Sequence, residues 1–161
     1  MALGGVFAAL AVVIMTLGGF IPVATFVCPI FCMILLRFVT LTCGNRTGWA
    51  WYGAVAVLSL LLGPDKEAAA VFLFLGFYPV VKPRLDKSRL CLLWKLLLFN
   101  AAIGIMYFLL IHLFGMDQIA AEYAQMGTTL TVVMLILGNV TFFLLDVVLS
   151  RLKFNRKQGR R

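Results

Sequence analysis

Four residues near the end of this 161-residue chain stand at a spacing that chemistry could use: Asn139, Phe143, Asp146 and Ser150, at i, i+4, i+7 and i+11. On a helix this spacing puts them on one face. A carboxylate in an apolar stretch is expensive, so it either meets a partner or performs a task. Two other apolar stretches carry the cations that could meet it, Lys95 and Arg37. Asp146 with Lys95 or Arg37 is therefore a candidate intramembrane ion pair. It reads in two ways, as a proton or ion relay or as a neutralised pair that ties helices together. Asn100, Gly104 and Tyr107 share a face of another stretch. Asn100, Tyr107, His112, Glu122 and Asn139 are the side chains best suited to contact a small solute. The plainer readings are hydrogen bonds between helices and a wetted rim.

A third pattern is steric. Gly4 with Ala8, and Gly5 with Ala9, form small-x-x-x-small pairs. Such pairs let a neighbouring helix come close, and close packing is the main attraction between helices in lipid. The stripe is either an internal contact or a docking face for another membrane protein.

The elements that position these residues follow from composition. The chain is 63% hydrophobic and 12% charged, with a mean hydropathy of +1.06. A soluble domain is about 45–50% apolar and about 25% charged. There is too little polar surface to cover a globule, so lipid is the expected solvent. Apolar segments run over about 2–17, 21–43, 49–62, 68–81, 90–114 and 128–152. A span needs roughly 20 apolar residues. The expected fold is an all-α integral membrane protein, a bundle of about six transmembrane helices over residues 1–152, followed by a basic tail at 153–161. The opening segment lacks a basic leader region and a small-residue cleavage site, and reads as a retained first helix rather than a signal peptide.

Loop charge sets the orientation. Arg46, the run Lys82-Pro83-Arg84-Leu85-Asp86-Lys87-Ser88-Arg89, and the tail with Arg151, Lys153, Arg156, Lys157, Arg160 and Arg161 fall on one side of a six-span bundle. The opposite side carries Lys66 as its one basic residue, with Asp65, Glu67, Asp117 and Glu122. Basic loops stay in the cytoplasm. Both termini are therefore expected inside, in a cell's inner membrane. On the other side, Ile119, Tyr123 and Met126 recur at helical spacing. The segment 116–126 reads either as an amphipathic helix on the outer surface or as an extension of the fifth span.

Several functions are disfavoured. The net charge of +8 sits at helix ends and in the tail, not among exposed aromatics, so membrane lipid and not nucleic acid is the expected partner. Cys28, Cys32, Cys43 and Cys91 lie in or at the ends of apolar runs beside a single histidine, which argues for reduced cysteines and against a metal site. Neither a metalloprotease helix, nor a nucleophile elbow, nor a phosphate loop is present, so no enzyme is expected and no cofactor is implied.

Two stretches carry a family resemblance: Ala-Leu-Gly-Gly-Val-Phe-Ala-Ala-Leu-Ala at 2–11, and Leu75-Gly76-Phe77-Tyr78-Pro79. With the size, span count and topology, they make the chain resemble the substrate-binding S components of energy-coupling factor (ECF) transporters. The resemblance implies a bacterial subunit that captures a vitamin-like molecule or metal ion from the outer side. It would dock on a transmembrane coupling protein driven by a pair of ATPases. In that family an alanine-rich A-x-x-x-A motif on the first helix meets the coupling protein. Gly4, Gly5, Ala8 and Ala9 occupy comparable places, with glycine for the leading alanine. The short fourth segment departs from the family. The alternative is a small, ligand-free membrane scaffold of the cell envelope, similar in size and topology to some rod-shape-determining proteins.

Overall fold

A computed structural model describes residues 2–21, 24–86, 91–112 and 117–154, and the side chains among them except at 2, 3, 117–126, 128, 153 and 154. The described residues are helical, without strands: α1 (Ala2–Gly18), α2 (Ala24–Cys43), α3 (Asn45–Leu62), α4 (Lys66–Leu75), α5 (Tyr78–Leu85), α6 (Cys91–His112) and α7 (Asp117–Phe154). Four helical stretches are long and apolar enough to cross a membrane: Ala24–Cys43, Lys66–Leu85, Cys91–His112 and Thr129–Leu152. The first of the six expected spans is a shorter apolar helix, Gly4–Gly18. The third begins earlier than its apolar run, at Asn45.

The fourth segment is longer than the sequence suggests, because α4 and α5 continue one another across a break at Gly76-Phe77. Pro79 has no N–H, and its ring would collide with the carbonyl four residues back in an unbroken helix. The Gly76 N–H closes α4 on the Phe72 carbonyl at 2.7 Å, and the Val80 N–H restarts on Phe77. The break frees carbonyls in the last turn of α4. The Tyr52 hydroxyl, on α3, donates to the Leu73 carbonyl.

Turns elsewhere have equally local causes. α2 and α3 are joined through Gly44 alone, at φ 95°, a backbone region glycine enters without strain. A methyl group on Gly48 would stand 2.6 Å from Thr40 Oγ1, so the two helices close on each other only with glycine there. At the opposite end Asp65 N-caps α4, accepting from the Ala68 N–H at 3.0 Å. Lys66 Nζ donates to the Leu60 and Gly63 carbonyls at 2.8 and 3.0 Å, covering the negative end of α3.

α2 is the centre of the fold and packs against α1, α3, α4, α5 and α7. Its Cys32, Met33, Leu36 and Val39 are buried with Val55, Phe72, Tyr78 and Leu149. Cys32 Sγ lies 3.6 Å from the Ala11 carbonyl, consistent with a reduced, buried thiol. By contrast α6 and α7 turn broad apolar faces outward, among them Leu93, Trp94, Leu97 and Phe108 on α6, and Val132, Leu135, Ile136 and Leu144 on α7. A water-soluble surface rarely carries contiguous apolar patches of this extent. These faces, with four helical stretches long and apolar enough to cross a membrane, are compatible with a lipid surround.

Segment 117–126 is helical and adjoins the sixth apolar segment. α7 runs through both and breaks at Gly127, where φ is 69° and ψ 163°. The side chain of Glu122 lies outside the described residues, as do residues 155–161 of the tail and Lys87 to Arg89 of the basic run.

Candidate functional site

Tyr78 and Lys82 stand one helical turn apart on α5, so both point the same way. They point at α7. The Tyr78 hydroxyl and Lys82 Nζ both donate to Asp146 Oδ1, and Lys82 also reaches the Asp146 backbone carbonyl at 3.0 Å. From α6, Lys95 Nζ lies 3.1 Å from Asp146 Oδ2 and 2.6 Å from Asp86 Oδ1. Asp86 also lies 4.0 Å from Lys82, closing the circuit just beyond α5. Two lysines and two aspartates balance, and a phenol fills the remaining acceptor position.

Aromatic packing holds the three helices at this spacing. The Phe142 ring on α7 lies 4.6 Å from Tyr78 and 4.8 Å from Phe99 on α6, centroid to centroid. These rings lie within about two turns of the ionic groups. They pack α5, α6 and α7 together beside the charges. A buried ion pair repays its desolvation only when its geometry is good and its remaining hydrogen-bonding positions are filled. Here both carboxylate oxygens of Asp146 are engaged, and its backbone carbonyl also accepts from Ser150 Oγ at 2.8 Å.

Of the two cations offered for Asp146, Lys95 is in contact with it, while Arg37 is buried on α2 and donates from Nη1 to the Pro79 carbonyl at 3.2 Å. The structure differs from the sequence reading at two other residues. Lys82, read as part of a basic loop, is inside α5 and 0% exposed. Phe143 does not share an inward face with Asp146. It is exposed, and Phe142, Leu145 and Leu149 take the inward positions. Tyr78, Lys82 and Asp86 were the partners that sequence reasoning missed. Their four-residue spacing was the available signal, hidden because the apolar run ends at Val81 and the basic residues from Lys82 onward read as a loop.

The solute-contact candidates separate into pairs. Asn100 and Asn139 bond to each other in both directions, at 3.0 and 3.2 Å. Each also donates to the carbonyl four residues earlier on its own helix at 2.8 Å. Both amide N–H groups of each side chain are thus engaged, which makes the pair a clamp between α6 and α7. The Tyr107 hydroxyl donates to Glu67 Oε1 at 2.7 Å, linking α6 to α4. His112 stacks on Phe108 and contacts its carbonyl through Nδ1 at 3.2 Å. Near Tyr107 an apolar cavity of about 190 Å³ opens between α3, α4 and α6, lined by Leu60, Ala70, Phe74, Met106 and Leu110 with Lys66 at its edge.

The small-residue stripe divides by face. Gly4 is buried, and its carbonyl accepts from Trp51 Nε1 at 3.1 Å, so α3 lies against it. Ala8 is half-buried. Gly5 and Ala9 are exposed, and nothing lies within 4 Å of a methyl group built on Gly5. Among the described residues no cluster of histidine, cysteine and carboxylate side chains is arranged to hold a metal ion.

No family model matches the chain, no curated protein matches it, and no solved structure matches it.

Proposed function

We propose that the chain is a six-span protein of the bacterial cytoplasmic membrane, with both ends in the cytoplasm, that serves as the solute-binding subunit of an ECF-type transporter. The observation that carries this reading is the two-faced first helix. The Gly4 side is occupied by α3 through Trp51, while the Gly5–Ala9 side is open. Glycine and alanine on an exposed helix face contribute almost no lipid contact of their own, but they let a second helix backbone approach closely. That open strip is where a transmembrane coupling protein would dock. The solute, captured from the outer side, would sit at the end of the bundle with Tyr107, Glu67 and His112. The apolar cavity beside Lys66 favours a small and largely apolar molecule over a metal ion.

The test is purification of the full chain from native membranes, with mass spectrometry of the proteins and small molecules that accompany it. A coupling protein with two ATPases is expected, and Gly5→Leu or Ala9→Leu should remove them without changing the melting temperature. A drop in melting temperature with the partners retained would assign that face to internal packing and end the docking argument.

A second reading, a ligand-free scaffold of the cell envelope, is favoured by one observation. The amides of Asn100 and Asn139 are committed to each other and to their own helices. Envelope-assembly proteins in the purification, with neither ATPases nor a retained solute, would select it.

A further inference from the structure

The cavity of about 190 Å³ between α3, α4 and α6 is built like a core with a piece left out. On α4, Lys66, Ala70 and Phe74 stand one turn apart, so one face of that helix forms a wall. Met106 and Leu110, also one turn apart on α6, form the facing wall. The small side chain of Ala70, between two long ones, leaves the room. Ala70, Met106 and Leu110 are buried, and of the whole lining only Leu73 is exposed, at 37%. The Tyr107–Glu67 hydrogen bond, one residue beyond Met106 and Lys66, ties the two walls together.

Two properties define what such a space can take. The first is the lack of polar partners. Lys66 brings the one charged group, and its Nζ is engaged by the Leu60 and Gly63 carbonyls. A buried water needs about 2–4 polar partners, and walls of leucine, phenylalanine, methionine and alanine supply none. A charged or strongly polar guest would leave its own groups unpaired there. The second property is size. An engineered cavity of about 150 Å³, lined by Leu, Ile and Phe, stays dry and takes up benzene or xenon. The present cavity is slightly larger, with a comparable lining. A lipid acyl chain needs an open flank along its length, which the partly buried Leu60, Phe74 and Leu109 deny it.

We infer that this cavity is the seat of the solute, and that the solute is uncharged and apolar, with the bulk of a single six-membered ring. The inference rests on the reading of the chain as a solute-binding subunit, and narrows that reading to a class of ligand.

The test places the full chain in phosphatidylcholine nanodiscs with fluorobenzene as the probe, read by fluorine NMR. A protein-bound resonance distinct from the lipid-dissolved one is expected, displaced by toluene and not by benzoate or benzylammonium. Ala70→Leu, which fills the space, should abolish it, and should also abolish the small molecule retained from native membranes. Leu73→Trp, which closes the exposed edge, should weaken the bound signal and decides the matter if Ala70→Leu does not fold. An unchanged resonance in Leu73→Trp, or displacement by benzoate equal to that by toluene, overturns the seat. Labelling of Ala70 or Met106 by a lipid with a photoreactive acyl chain overturns it too, and assigns the cavity to lipid. Absence of the bound resonance in a chain that still brings down a coupling protein and two ATPases overturns the seat alone. A bound resonance in a chain that brings down neither supports the cavity as a site for apolar molecules and overturns the transporter reading.

Discussion

Arg37 on α2 donates through Nη1 to the carbonyl of Pro79 on α5, at 3.2 Å. In a continuing helix that carbonyl would receive the N–H of residue 83, and residue 83 is proline. A buried carbonyl without a donor is destabilising. The arginine supplies what the proline lacks, and so a cation deep in an apolar helix has a structural cause. It also anchors the region of α5 that carries Tyr78 and Lys82.

This relationship predicts a specific rescue. Arg37→Met should lower stability in detergent, by about 1–3 kcal/mol for the carbonyl left unpaired. Adding Pro83→Ala restores an N–H at the right position and should recover part of the loss. A double variant no more stable than Arg37→Met, by thermal melting, would show that the Pro79 carbonyl is not what the arginine serves.

For the ionic cluster, removing the carboxylate leaves two cations against Asp86 alone. Asp146→Asn should be strongly destabilising, toward the roughly 3–5 kcal/mol seen when one partner of a buried pair is removed. Lys82→Met should restore more of that loss than Lys95→Met, because Lys82 is fully buried and the Lys95 side chain is 12% exposed. Arg37→Met should restore none. Thermal melting of the three double variants ranks them, and the opposite order of the two lysines would contradict the geometry.

The Asn100–Asn139 clamp predicts non-additivity. Asn100→Leu and Asn139→Leu should each cost about 0.6 kcal/mol and at most about 1.7 kcal/mol, the average and the maximum for interhelical hydrogen bonds measured in a membrane protein. The double variant removes both polar groups together and should be more stable than the sum of the singles implies. Strict additivity in a double-mutant cycle would mean that the two amides act separately.

Two glycines should respond oppositely to one methyl group. Gly48→Ala brings a carbon to 2.6 Å from Thr40 Oγ1 and should destabilise by about 1–3 kcal/mol through overpacking. Gly5→Ala meets nothing within 4 Å and should leave the melting temperature unchanged or raise it, since alanine favours helix. Equal losses at both sites would place a neighbour on the Gly5 face.

Orientation is tested by reporter fusions. Fusions after Arg161 and within residues 82–89 should report cytoplasm, and one near Glu122 the outside. A cytoplasmic signal near Glu122 would change the span count.

Hydropathy alone was enough to read an all-helical chain with stretches long and apolar enough to cross a membrane, because apolar length and the placement of Gly, Pro and Asp are local properties. Asp65, an acidic residue suited to a helix N-terminus, does stand at the head of α4. The need of Asp146 for a cationic partner also followed from the cost of a charge in an apolar setting, and Lys95 was among the candidates. The choice of partners did not follow, because it depends on where α5 lies. The basic run with Pro83 makes 82–86 look like a loop, yet Arg37 satisfies one freed carbonyl and the Tyr78–Phe142–Phe99 rings hold the segment against α6 and α7. Only that packing carries Lys82 from an apparent loop to the carboxylate. Similarly, a four-residue repeat could place Gly4, Gly5, Ala8 and Ala9 on adjoining faces, but the arrival of Trp51 decided which face is closed. A repeat sets directions around a helix axis, and only a neighbouring helix makes one of those directions the inside.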